Sequence, residues 1–311
     1  MANALVTGAS GFVGGHLISA LNSAGHDVIG FDHVLPRPGH AAVATRVITG
    51  ELRDTAAVSR LIADGRIDWI FHLAAASGAS ADLELYESNI LGSAALLEAV
   101  RASHRTVRIV IVGSSAIYGD SSDQRPVTEL SLLKPVTAYG VSKAAVDLMA
   151  FQVFRRDAVP IMRARPFNIV GPSQSAAFFC SAVAQQVAFA EKGRGQPVVH
   201  VRGLDTARDF VDVRDVAVGL IAIAALGAGG EAYNICSGVA TPLSVVVEGL
   251  LAHATVSMSV AVDVPQPIGY PDVRTQCGSY LKLHAASGWT PQIPLSQSLE
   301  DTLNYWRNHN Q

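Results

Sequence analysis

The chain has 311 residues, a formal net charge of -3, 49% hydrophobic residues and only 16% charged ones. That balance excludes intrinsic disorder, which needs low hydrophobicity and high net charge. It disfavours a nucleic-acid partner gripped through phosphates, because no Lys/Arg excess or basic cluster is present.

Residues 4–6 read as a short buried strand, followed by a Gly-rich turn and a helix with Val13, Leu17 and Leu21 on one face. Residues 28–31 form the next strand, and a further one ends near Glu51. Apolar strands at 69–73 and 109–112 are separated by helical patterns over 54–63 and 86–102. Continuous apolar strands alternating with helices imply a parallel sheet covered on both faces, joined by right-handed crossovers. The fold expected is therefore a doubly wound α/β domain.

After Arg165 the regularity fades. Residues 168–174 are turn-rich, 181–192 helical, 197–201 a strand, and 212–226 another helix. Residues 231–236 then return to the main sheet, and 295–307 close the chain as an amphipathic helix. The longest stretch without Asp, Glu, Lys or Arg, residues 166–190, is interrupted by Asn168, Gly171, Pro172, Gln174, Gln185 and Gln186. It does not make the apolar span of ~20 residues that a membrane helix needs. Cys180, Cys236 and Cys277 lack metal-ligand spacing, the ten histidines show no paired spacing, and no signal-peptide pattern opens the chain. A reduced, cytoplasmic, metal-free protein is expected.

The run Thr7-Gly8-Ala9-Ser10-Gly11-Phe12-Val13-Gly14 follows a strand and opens a helix. Glycines there let the backbone turn tightly and approach a pyrophosphate at the positive helix N-terminus. Asp32 ends the second strand, where a carboxylate accepts from the hydroxyls of an adenine-side ribose and repels a 2′-phosphate; this favours NAD(H) without excluding NADP(H). Glu51 and Leu52 would frame the adenine. Tyr139 and Lys143 stand one helical turn apart, so the ammonium is expected to lower the phenol's pKa and make it a usable acid or base. Ser114 or Ser115, beyond the strand at 109–112, would bond a reacting oxygen. Plain alternatives stand beside these: a structural turn, a strand-ending carboxylate, a serine capping a strand.

Together these residues resemble an extended short-chain dehydrogenase/reductase, the branch that modifies nucleotide sugars. The resemblance adds His72-Leu73-Ala74-Ala75, Asn89, Arg165-Pro166-Phe167-Asn168, Arg208-Asp209-Phe210, Tyr233-Asn234 and Gly288-Trp289-Thr290-Pro291. It implies a Rossmann-type sheet over residues 1–165 plus about 205–240, and a smaller C-terminal substrate-binding lobe from about 166–204 and 241–311. It implies catalytic roles for Ser114, Tyr139 and Lys143, with Lys143 also holding the nicotinamide ribose. The cofactor would be held by Gly8, Ser10, Gly11, Phe12, Val13, Gly14, Asp32, Glu51, Leu52, Leu73, Ala74, Ala75, Asn89, Tyr139, Lys143 and Pro166. Ser115, Asn168 and Arg208 would contact a nucleoside-diphosphate sugar, and a homodimer would pair the helices at 86–102 and 139–154.

The resemblance also narrows the reaction. Dehydratases of this type carry a Glu where this chain has Ala116. The string Arg165–Gln174, with residues 206–216, 233–238 and 288–299, is similar to reductases of GDP-4-keto-6-deoxymannose. Reduction of a 4-keto nucleotide sugar, a step of deoxysugar biosynthesis, is the leading expectation; a 4-epimerase with tightly bound NAD is the alternative. Tyr270 replaces an arginine that commonly holds the diphosphate, and Arg274 stands four residues out of register.

Overall fold

The computed structural model describes residues 1–35, 46–77, 81–121, 126–263 and 273–309. Strands and helices alternate in the first half: β1 (Asn3–Thr7), α1 (Phe12–Ser23), β2 (Asp27–Asp32), β3 (Arg46–Thr49), α2 (Thr55–Asp64) and β4 (Trp69–His72). Next come α3 (Asp82–Leu85), a π-helical turn (Tyr86–Leu91), α4 (Gly92–Ala102), β5 (Arg108–Val112), a 3-10 turn (Ser115–Ile117), α5 (Ala138–Asp157) and β6 (Ile161–Pro166). The remainder comprises β7 (Asn168–Val170), α6 (Phe179–Glu191), β8 (Val198–Val201), β9 (Ala207–Asp212), α7 (Val213–Leu226), β10 (Ala232–Ile235) and β11 (Ala240–Pro242). It ends with α8 (Leu243–Ala252), β12 (Ser259–Val262), β13 (Thr275–Gln276), α9 (Leu281–Ser287) and α10 (Leu295–His309).

Seven strands form one parallel sheet in the order β10-β6-β5-β4-β1-β2-β3. The pleat sends successive side chains to opposite faces, and both destinations are apolar. Leu5, Ile109 and Ile111 pack with Ile62, Leu96, Val146 and Val153 of α2, α4 and α5. Val6, Val110 and Val112 pack with Leu17, Leu21, Val216 and Leu220 of α1 and α7. Each such side chain contributes roughly 1.5–3 kcal/mol when fully buried, which is why these strands carry no polar alternation. Strand order reverses between β1 and β4, and ligands of such sheets sit beyond the strand ends at that reversal.

In a second cluster, α6, α8 and α10 enclose Val183, Val187, Val246, Leu250 and Leu303. Here β9 pairs in parallel with β7 and β13 and antiparallel with β11, while β8 pairs in parallel with β12. Residues 168–170 therefore form a strand rather than part of a turn-rich loop: Ile169 and Val170 pair with Val211 and Asp212 before Gly171 breaks the run. The helix expected over 86–102 also differs, because it opens with a π turn that places an extra residue around Asn89. Among the described residues no helix is long and apolar enough to cross a membrane.

Candidate active site

The turn between β1 and α1 is built around two close approaches. Gly8 has φ +71, and a Cβ there would lie 2.7 Å from the Ala74 amide nitrogen. A Cβ on Gly14 would collide with the Gly8 carbonyl oxygen, so α1 starts hard against the turn. Gly11, whose amide donates to the Gly8 carbonyl at 3.1 Å, sits at the N-cap without a side-chain cap. Among the described residues no side chain caps the first amides of α1, the arrangement that receives an anion. Phe12 and Val13 contribute backbone here; the Phe12 ring meets His16 edge-on and Val13 packs into the core.

Asp32 is buried where β2 ends. Its Oδ2 accepts from the Ser10 amide at 2.9 Å, and its Oδ1 accepts from the His33 amide at 2.8 Å. The Ser10 hydroxyl donates to the Val34 carbonyl at 2.8 Å. A cavity of about 560 Å³ brings together Gly8, Ser10, Gly11, Asp32, Glu51, Leu52, Leu73, Ala74 and Ala75. These residues were expected to hold a dinucleotide, and together with the uncapped α1 terminus they fit one. The same cavity is lined by His33, Arg53, Glu84 and Glu87, which the sequence reading passed over although Arg53 adjoins Glu51 and Leu52.

Beyond β5, Ser114 caps the 3-10 turn by accepting from the Ala116 amide at 3.2 Å. Thr137 caps α5 through the Gly140 amide at 3.0 Å, which fixes where Tyr139 enters the first turn. Burial pushes the Tyr139 pKa up, and the nearby Ser114 hydroxyl opposes that only in part. This corrects the expectation that Lys143 draws the phenol down. The Lys143 ammonium instead donates to the Val112 carbonyl at 3.0 Å and lies 5.8 Å from the Tyr139 ring centroid. Its own burial lowers it to about 8.

Asn89 also departs from expectation. Its Oδ1 accepts from the Ala76 amide at 2.7 Å, and its Nδ2 donates to the Ser142 hydroxyl at 3.0 Å and the Ala76 carbonyl at 3.3 Å. With its polar atoms so committed, Asn89 supports the loop after β4 rather than offering a group to the cofactor. His72 belongs to the same buried network. The Ser93 hydroxyl donates to the Asn89 carbonyl at 2.5 Å, so the 2.9 Å contact to Ser93 makes His72 Nε2 the donor. His72 Nδ1 then accepts from the Thr7 hydroxyl at 2.8 Å. Burial first, and the Lys143 charge second, lower the His72 pKa to about 3.

Ser115 was expected near the substrate; its hydroxyl donates instead to Gln276 Oε1 at 2.7 Å in a buried contact. Gln276 returns bonds to the Ser115 and Gly119 carbonyls, both at 3.0 Å. Ser115 is therefore a tie between the serine turn and β13. Pro166 is buried at the end of β6, and Asn168 follows on β7, its Nδ2 donating to the Asp209 carbonyl at 3.2 Å. Arg208 lies on the neighbouring β9, and its Nη1 donates to the Ala207 carbonyl at 3.0 Å and the Arg274 carbonyl at 3.4 Å. Arg274 thus stands directly beside Arg208, while Tyr270 lies outside the described residues.

Comparison with known proteins agrees with this geometry. Residues 4–236 match the NAD dependent epimerase/dehydratase family. The chain is 31% identical over 221 residues to the GDP-6-deoxy-D-mannose reductase of Pseudomonas aeruginosa, covering 71% of this chain and 72% of that one. The structure of RMD from Pseudomonas aeruginosa complexed with NADPH superposes with a TM-score of 0.87 at 28% identity, covering 99% of each chain. UDP-glucose 4-epimerase of Thermus thermophilus in complex with NAD gives 0.87 at 25% identity, again over 99% of each chain. With its glycine turn, its parallel sheet and its Ser-Tyr-Lys set, the chain belongs to the NAD dependent epimerase/dehydratase family and is an NAD(P)-dependent enzyme of the extended short-chain dehydrogenase/reductase type.

Proposed function

We propose that the protein reduces the 4-keto group of a nucleoside-diphosphate deoxysugar. The observation that carries this reading is the placing of Tyr139 in the first turn of α5 with the Lys143 ammonium 5.8 Å from its ring centroid, where burial pushes the phenol's pKa up so that it keeps its proton. A phenol that keeps its proton is prepared to give it to a developing alkoxide, the demand of carbonyl reduction. Similarity to the P. aeruginosa GDP-6-deoxy-D-mannose reductase supports the same direction and substrate class. At Ala116 no carboxylate is available for water elimination.

The bound nicotinamide dinucleotide would supply the hydride, held by the glycine turn, Asp32, Glu51, Leu52 and Leu73–Ala75. Ser114 donates its hydroxyl to the substrate oxygen and stabilises the charge that grows there. Tyr139 passes its phenolic proton to that oxygen. Lys143, lowered to about 8 by burial, carries a proton that is exchangeable near neutral pH and presents its ammonium beside Tyr139. Asn168 and Arg208, on adjacent strands, would hold the diphosphate, where a guanidinium's planar fork suits phosphate oxygens.

Asp32 favours a second reading, a 4-epimerase that retains NAD, because a carboxylate there disfavours a 2′-phosphate. The experiment that separates the two is to denature the purified protein and identify any released dinucleotide. Near-stoichiometric NAD+ supports the epimerase. An empty site, with NADH or NADPH consumed when a 4-keto sugar nucleotide is supplied, supports the reductase. Consumption of neither overturns the leading reading.

The same reading assigns residues 1–165 plus about 205–240 to the dinucleotide half, and 166–204 and 241–311 to the substrate lobe. A homodimer is supported by Val141, Leu148 and Phe151, which leave an apolar stripe exposed on α5. Cys180, Cys236 and Cys277 are free thiols, which suits the cytoplasm.

A further inference from the structure

The serine turn and α5 are both fastened to one buried side chain that the proposed reaction leaves unused. Arg165 stands near the end of β6, and a Cβ on Gly113 would lie 3.9 Å from its Cγ, so its stem runs beside the residue that precedes Ser114. Its Nε and Nη2 donate to the two Asp147 oxygens at 2.9 and 2.8 Å. Its Nη1 donates to the Tyr118 hydroxyl at 2.7 Å and the Glu129 carbonyl at 3.1 Å. Arg165, Asp147 and Tyr118 are all buried.

Each end of this fork leads to a reacting group. Asp147 stands on α5 one turn after Lys143 and two after Tyr139, so the three share a helix face. Lys143 holds that face to β5 through the Val112 carbonyl, and Asp147 holds it to β6. Tyr118 closes the 3-10 turn that Ser114 opens, and its amide donates to the Ser115 carbonyl at 2.9 Å. The Tyr118 hydroxyl accepts from Arg165 and donates to Asn234 Oδ1 at 2.8 Å. Burial pushes its pKa up to about 12, so the phenol remains a donor. A planar guanidinium can span these two partners, whereas an ammonium is a point charge without the paired geometry.

We propose that Arg165 is a positioning residue for the reaction, setting the spacing of Ser114 and Tyr139 by gripping the serine turn through Tyr118 and α5 through Asp147. Arg165 does not line the cofactor cavity, so its effect reaches the chemistry through these two neighbours. Misplacing a reacting group by about 1 Å lowers a rate by roughly 10²-fold. This assignment rests on the 4-keto reduction proposed for Ser114 and Tyr139.

The test is a double-mutant cycle on the full-length protein, read as NADH or NADPH oxidation with GDP-4-keto-6-deoxymannose. Tyr118→Phe removes one hydroxyl from the grip and leaves Arg165 its bonds to Asp147 and Glu129. Alone it is expected to lower kcat by about 10–100-fold, while KM for the sugar nucleotide stays within about twofold. In a Ser114→Ala background the same change is expected to lower kcat by less than about twofold, because no serine hydroxyl is left to misplace. Loss of folded protein would lower kcat by one factor in both backgrounds, so an equal drop in the two overturns the inference. An unchanged kcat in Tyr118→Phe overturns it as well. Should Tyr118→Phe not fold, Arg165→Lys is expected to lower kcat by the same order, and wild-type kcat in that variant overturns the inference equally. No oxidation of either cofactor by the wild type overturns the reduction itself, and the positioning role with it.

Discussion

The Asn89 amide donates to the Ser142 hydroxyl at 3.0 Å, and that hydroxyl donates onward to the Tyr139 carbonyl at 2.8 Å. The π turn is thereby tied to the first turn of α5, where the candidate proton donor sits. Asn89→Ala leaves the part-buried Ala76 amide without its acceptor and takes away the donor to the Ser142 hydroxyl, so a loss of about 1–3 kcal/mol in stability is expected. A fall in kcat without a comparable rise in KM would mark Asn89 as a positioning residue. Asn89→Asp retains the acceptor for Ala76 and should recover part of both losses; urea unfolding and steady-state kinetics check this.

Removing the phenolic hydroxyl with Tyr139→Phe is expected to lower kcat by roughly 10²–10⁴. Ser114→Ala is expected to lower it by roughly 10²–10³. Neither side chain lines the cavity beside Gly8, Asp32 and Glu51, so fluorescence titration should show dinucleotide binding retained in both.

His72 predicts an acid sensitivity. Its folded pKa is lowered from 6.5 to about 3, so below pH 6.5 the unfolded chain takes up a proton that the folded protein refuses. Stability should therefore fall by up to about 1.4 kcal/mol per pH unit from this group as pH drops from 6.5 toward 3. His72→Gln removes the titration. Urea unfolding at several acid pH values should give a shallower pH slope for the variant than for the wild type.

Lys143 predicts a conflict between stability and activity. Its folded pKa is lowered from 10.5 to about 8, so below 8 both states carry the proton and the cost of the buried charge is fully present. As pH rises from 8 to 10.5 the folded protein sheds its proton first, and that cost fades. At pH 7 Lys143→Met is expected to be about 1–2 kcal/mol more stable than wild type, after loss of the Val112 bond, and nearly inactive. The stability gain should shrink at pH 10; urea unfolding at the two pH values checks it.

The sheet was legible because its strands are continuous apolar runs buried on both faces, as at Leu5–Val6 and Ile109–Val112. The glycine turn was legible because Gly8 and Gly14 stand where a Cβ has no room. What escaped depends on distance along the chain. Spacing puts Tyr139 and Lys143 on one helix face, but Lys143 finds its acceptor at Val112, on a strand 31 residues earlier. Ser115 meets Gln276 across 161 residues, a pairing no local pattern announces. The π turn at Asn89 was lost for a different reason, since a 3.6-residue period reads straight through an extra residue. Residues 168–170 were masked by the strong turn signal of Gly171-Pro172.

The tie between Ser115 and Gln276 also bears on how the protein is made. A chain leaving the ribosome presents β1 to β6 early, and domains generally fold as units from the N-terminus. Gln276, which holds the Ser115 and Gly119 carbonyls, is translated 161 residues after Ser115. Until it arrives, the turn that aims Ser114 lacks its outer brace. A nascent chain can thus have its glycine turn and parallel sheet assembled while its serine turn is still unbraced, so the two halves of the candidate site mature at different times.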